Sequence, residues 1–98
     1  MPNLSSKQRA HLRGLAHSLK PAAHVGKEGV TEAAADALRQ TFEARELVKV
    51  RVLEAAPEDV RATAQALAEK TGAAVVQTVG RTATLYRPDP DAPAIRLP

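Results

Sequence analysis

The stretch Pro21-Ala22-Ala23-His24-Val25-Gly26-Lys27-Glu28-Gly29-Val30-Thr31-Glu32 decides the fold. The apolar run at residues 22–25 reads as a short strand. Two glycines then bracket two charged residues, and Thr31 caps a helix that opens with Glu32. Strand, loop and helix so close together mark a chain in which strands alternate with helices. Glycine at both ends of the loop lets the backbone take positive φ and lets another backbone come close, because no Cβ intervenes. A loop that opens onto a helix N-terminus also presents free N–H groups and the positive end of the helix dipole. That combination suits a phosphate oxygen. The same spacing also makes an ordinary tight turn, and residues 26–29 alone do not separate the two readings.

Upstream, residues 5–19 read as a helix capped by Ser5 or Ser6. Leu4, Leu12, Leu15, Ala16 and Leu19 fall on one face at helical spacing, and Arg9, Arg13 and Lys20 fall together on an adjacent one, with His17 at its edge. Lys20-Pro21 ends this helix, since proline disfavours helical backbone at the residue before it. Downstream, the second helix runs from Thr31 to about Arg45, with Phe42 as a core residue. From Leu47 to Leu53 the pattern alternates, with Val48, Val50 and Val52 on one side and Lys49 and Arg51 on the other. This is a half-buried strand with a basic outer face. Ala56-Pro57-Glu58-Asp59 starts a third helix, with the proline in its first turn. Val60, Ala64, Leu67, Ala68 and Thr71 mark its buried face, and Gly72 its C-terminal cap. Two β-rich runs, 74–79 and 82–87, are separated by Gly80-Arg81, a tight-hairpin signal.

The expected fold class is α/β: one compact domain over residues 1–98, in the order α-β-α-β-α-β-β. The mixed four-stranded sheet has parallel pairs across the helical crossovers and one antiparallel hairpin. Residues 88–98 form a proline-rich acidic tail, whose Ala94-Ile95-Arg96-Leu97 alternation would let it rejoin the sheet edge.

Formal net charge is +3, but its distribution says more. The first 29 residues hold five basic side chains against Glu28 alone, together with all three histidines, whereas the rest of the chain is slightly acidic. The positive field thus sits around the glycine loop, which points to nucleic acid or another polyanion. The bland alternative is a solvated charged face. No cysteine is present, so disulfides, thiolate metal sites and cysteine nucleophiles are excluded. His11 and His17 lie roughly 120° apart around one helix at helical spacing and cannot share a metal. No acid–base constellation, nucleophile elbow or nucleotide-hydrolase phosphate loop is visible. No enzyme activity, cofactor, metal or small-molecule substrate is expected. Phe42 and Tyr86 are the only aromatics, so base stacking cannot be the main mode of binding. There is no signal-peptide pattern at the start and no apolar run of membrane-spanning length, so the expected location is the cytoplasm.

Several segments together are more specific than the loop. They are Leu4-Ser5-Ser6-Lys7-Gln8-Arg9 with Leu12-Arg13-Gly14-Leu15-Ala16-His17; Leu19-Lys20-Pro21; Val25 to Glu32; Glu46-Leu47-Val48-Lys49-Val50; Thr71-Gly72-Ala73; and Val79-Gly80-Arg81-Thr82 with Leu85-Tyr86-Arg87-Pro88. In this order and spacing the chain resembles the YhbY-like proteins, the stand-alone bacterial form of the CRM (chloroplast RNA splicing and ribosome maturation) domain. The resemblance implies a fold similar to the C-terminal domain of translation initiation factor three. It also implies RNA binding through the GXXG loop and the basic surface beside it, and association with precursors of the large ribosomal subunit during ribosome biogenesis. The loop motif carries over onto Gly26, Lys27, Glu28 and Gly29. Glu28 departs from what a phosphate clamp would favour, so its side chain is expected to point away. Periodicity, not the motif, adds Arg9, Arg13, Lys20, Lys49 and Arg51 as weaker RNA contacts. A β-branched residue at Gly29 is expected to damage binding more than stability. The rival reading is a protein–protein adaptor that meets a ribosomal protein or assembly factor.

Overall fold

Ser5, not Ser6, caps the first helix. In the computed structural model, which describes residues 3–98, α1 spans Ser6–Ala16. The Ser5 hydroxyl accepts from the Gln8 N–H at 3.1 Å, and the Gln8 side chain accepts from the Ser5 N–H at 3.0 Å, a capping box. The helix ends at Ala16, earlier than the pattern suggested. The N–H groups of His17 and Leu19 reach back three residues, to Gly14 and Ala16, and these tighter turns lead the chain to Pro21. The remaining elements are β1 (Pro21–Val25), α2 (Glu32–Ala44), β2 (Leu47–Val52), α3 (Val60–Thr71), β3 (Ala74–Val79) and β4 (Thr82–Tyr86). Thr31 caps α2 as expected. The cap of α3 is Asp59, which accepts from the Ala62 N–H at 2.8 Å, so Pro57 stays in the preceding loop. Gly72 closes α3 at φ 76°, and Gly80, at φ 56°, opens the two-residue turn of the β3–β4 hairpin.

The sheet order is β1-β2-β4-β3. β1 and β2 are parallel across α2, but β4 returns from the hairpin into the gap between β2 and β3 and is antiparallel to both. Only one crossover therefore joins neighbouring strands, where the sequence suggested two.

α2 and α3 cover one face of the sheet. Val25, Val48, Val50, Ala83 and Leu85 meet Leu38 and Phe42 from α2 and Leu67 and Ala68 from α3. Burying each leucine contributes about 1.5–3 kcal/mol. Phe42 is core, as expected, and the Arg87 guanidinium lies 5.9 Å from its ring centroid. On the other face, Leu12 and Ala16 of α1 pack on Leu47, Val76 and Tyr86. Leu15, which helical spacing places in the buried stripe, is 42 % exposed.

The tail forms no strand. It folds over the α1 side, where Ile95 and Leu97 pack against the Leu12 cluster. Glu46, only 6 % exposed, fastens it by accepting backbone N–H bonds from Asp89 (2.6 Å), Ala94 (2.9 Å) and Ile95 (2.7 Å). Burial, with the Glu46 charge as a second cause, raises the neighbouring Tyr86 phenol above its ordinary pKa.

Candidate nucleic-acid interface

Two-residue periodicity divides β2. Val48, Val50 and Val52 are buried, and Lys49 and Arg51 point to the α1 side. The register extends that polar row across the sheet. Lys49 pairs with Thr84, which pairs with Gln77; Arg51 pairs with Thr82, which pairs with Val79. His24 of β1 lies beside Arg51.

Gln77 reaches this face because β3 carries a bulge between Val75 and Gln77, which turns both Val76 and Gln77 toward α1. The Arg9 guanidinium donates to the Val75 carbonyl and, at 3.3 Å, to the Val76 carbonyl. Arg9, which the sequence suggests as a phosphate contact, is thus engaged in holding the bulge.

α1 covers only the end of this face formed by Leu47, Val76 and Tyr86. The other end is open, and between it and α1 runs a groove of about 270 Å³. Arg13 of α1 and His17, just past its end, form one wall; Lys49, Gln77 and Thr84 form the floor, and Thr82 and Val79 the outer end. Among the described residues, ion pairs involve Arg39, Lys70 and Arg81, and none involves Arg13, Lys20, Lys27, Lys49 or Arg51. No acid stands on α1 or on these two rows of the sheet, whereas Glu32, Asp36 and Glu43 lie on α2. The helix start at Glu32 is itself neutralised. Lys70 binds this carboxylate at 2.7 Å, and that hydrogen bond, with the Lys70 charge, holds it below the usual carboxylate range.

The glycine loop stands at the Arg51 end of the open face. The Gly29 N–H donates to the Gly26 carbonyl at 2.9 Å, which closes a turn with Lys27 and Glu28 exposed at its tip. Successive residues of the central chain fix its surroundings: Leu53 N–H donates to Val25 at 2.8 Å, and Val52 N–H to Arg81 at 2.7 Å. The two glycines differ. Gly29 has φ 69°, and a Cβ there would lie 2.9 Å from the Pro57 ring, so the fold itself requires glycine. A Cβ at Gly26 would meet only Leu53, at an ordinary 3.7 Å, without a positive φ.

The structure therefore brings Arg13, Lys49 and Arg51 to one open face, with Gly26, Lys27, Glu28 and Gly29 at its end. Exposed Lys20 directly precedes Pro21, which pairs with Lys49. His17, which helical spacing sets at the edge of the basic face, joins this candidate site, and Gln77, Thr82 and Thr84 join it without having been found by sequence reasoning. The Thr82/Thr84 alternation is visible in the sequence, but not the strand pairing that sets it beside Lys49. Among the described residues, no group of three His, Cys, Asp or Glu could hold a metal, and no helix is long and apolar enough to cross a membrane.

Comparison with known proteins agrees with this architecture. The family model for the CRS1 / YhbY (CRM) domain matches residues 4–87. The Bacillus subtilis protein named Probable RNA-binding protein YqeI is 40 % identical over 95 residues, which cover 97 % of this chain and 99 % of the relative. A Haemophilus influenzae protein named RNA-binding protein is 40 % identical over 98 residues, covering 100 % of this chain and 98 % of its own length. The solution structure of the hypothetical protein SAV1595 from Staphylococcus aureus, described as a candidate RNA binder, superposes with a TM-score of 0.83 at 36 % identity. The match covers 98 % of this chain and 100 % of that one. By sequence and by fold, the chain belongs to the CRS1/YhbY (CRM) domain family.

Proposed function

We propose that this protein binds RNA without catalysing a reaction, and that it associates in the cytoplasm with precursors of the large ribosomal subunit during their assembly. One observation carries the RNA reading: Arg13, Lys49 and Arg51 share an open face on which no acid neutralises them, beside a glycine-bounded turn carrying Lys27. The names of the relatives point the same way. The chemistry is phosphate neutralisation. Cations on the sheet and Lys27 at the exposed tip of the turn would hold the sugar–phosphate chain, with affinity set largely by counterion release. The ribosomal setting rests on the family resemblance, and it fits a small basic module that acts by binding alone.

The test is crosslinking of the tagged protein to RNA in living cells, with the crosslinks mapped across all transcripts. Sharp peaks in large-subunit ribosomal RNA or at its precursor ends are expected. Crosslinks scattered at background level, with association to a ribosomal protein or assembly factor that survives nuclease, would overturn the proposal in favour of an adaptor.

A further inference from the structure

We infer that the groove between α1 and the open sheet face is a base-reading subsite, which takes one unpaired base of a single-stranded RNA. The inference rests on the RNA reading above and adds specificity to it.

Phosphate binding alone would need only cations, yet the groove holds more. Gln77, Thr82 and Thr84 meet Arg13, His17 and Lys49 there, and among the described residues none of these six side chains makes a hydrogen bond within the protein. Thr84 is the most telling, being 1 % exposed at the floor. It lines the groove floor, where a hydroxyl without a protein partner is left to water or a ligand. A buried polar group without a protein partner is costly unless water or a ligand satisfies it.

Gln77 is placed there by an irregularity. Regular alternation after Val75 would have turned it toward α2 and α3, and the bulge that re-aims it is held by Arg9. An amide offers a donor and an acceptor side by side, the pattern that base edges match. Val79, 63 % exposed at the outer end, supplies an apolar surface beside this polar set. Sugar–phosphate contacts carry no sequence information; base-edge contacts do. In an A-form duplex the Watson–Crick edges are paired and the deep, narrow major groove keeps side chains from the remaining edges, so the occupant is an unpaired base.

The experiment incubates the full chain with a pool of random single-stranded RNA decamers and sequences the retained fraction. Enrichment of one base at one position by about tenfold is expected, the size of one good base contact. Gln77→Ala should abolish that enrichment while leaving most of the total retention. Thr84→Val, nearly isosteric, should fold as the parent does and weaken the enrichment. Lys27→Ala should lower retention of every decamer and keep the preference. Retention of RNA with no base preference would overturn the subsite and leave the RNA reading standing, as would an unchanged preference in a folded Gln77→Ala. Retention of no RNA by the parent protein would overturn both.

Discussion

Along β2, Val48, Val50 and Val52 enter the core under α2 and α3, while Leu47, Lys49 and Arg51, one residue out of phase, face α1. The two faces are made of the same strands but covered differently. Two helices close the first along its length, and burial explains its residues. α1 and the tail close only one end of the second. Burial explains Leu47, Val76 and Tyr86 there, but not Lys49, Arg51, Gln77 or the unpartnered hydroxyl of Thr84. Clustered cations without counter-charges repel one another and add nothing to stability. The contrast supports the proposed site: among the sheet residues, the polar side chains that burial does not explain lie on the open half of the α1 face.

The covered face should be far more sensitive to truncation. Leu67→Ala is expected to lose about 2–5 kcal/mol in urea unfolding, because Leu67 is fully buried between α3 and the sheet. A loss below about 1 kcal/mol would mean that this core is less closed than its packing indicates. The two loop glycines give the next contrast. Gly29→Val should cost about 1–3 kcal/mol for the left-handed backbone alone, with the Pro57 contact adding to it. This revises the expectation that such a change would mainly damage binding. Gly26→Ala should stay within about 0.5 kcal/mol yet weaken RNA binding, since only an approaching ligand would need the missing Cβ. Equal binding by a folded Gly26→Ala would leave the turn without a role in recognition.

Glu46→Gln weakens an acceptor of three backbone N–H groups and should cost about 1–3 kcal/mol. Faster hydrogen exchange at Asp89, Ala94 and Ile95 with unchanged RNA affinity is the expected signature, because the clasp lies at the covered end of the α1 face. The smallest stability effects belong to the open half. Lys49→Ala and Arg51→Ala should each leave the melting temperature nearly unchanged. Each should also flatten the salt dependence of binding, by about 0.7 for every single-strand phosphate that is no longer neutralised. An unchanged slope would remove that residue from the interface.

Much of the fold is legible in the sequence because it depends on local period. The helix caps at Thr31 and Gly72, the alternation that sets Lys49 and Arg51 against the valines, and the turn at Gly80 are all short-range features. What is not legible depends on partners distant in the chain. β4 slips between β2 and β3, the bulge turns Gln77 over, Arg9 is drawn onto β3, and Glu46 captures a tail more than 40 residues away. Leu15 shows the same limit: helical spacing places it beside Leu12, but only the width of the surface beneath α1 decides how many leucines are covered.

The central claim, that the open half of the α1 face is where RNA lies, is tested most directly by titrating isotope-labelled protein with a single-stranded RNA decamer and following every backbone amide by NMR. Residues 26–29, Lys49, Arg51, Gln77, Thr82 and Thr84 should shift together, with the exposed positions of α2 and α3 unmoved. Shifts concentrated on α2 and α3, with residues 26–29 and the groove unchanged at saturation, would contradict it.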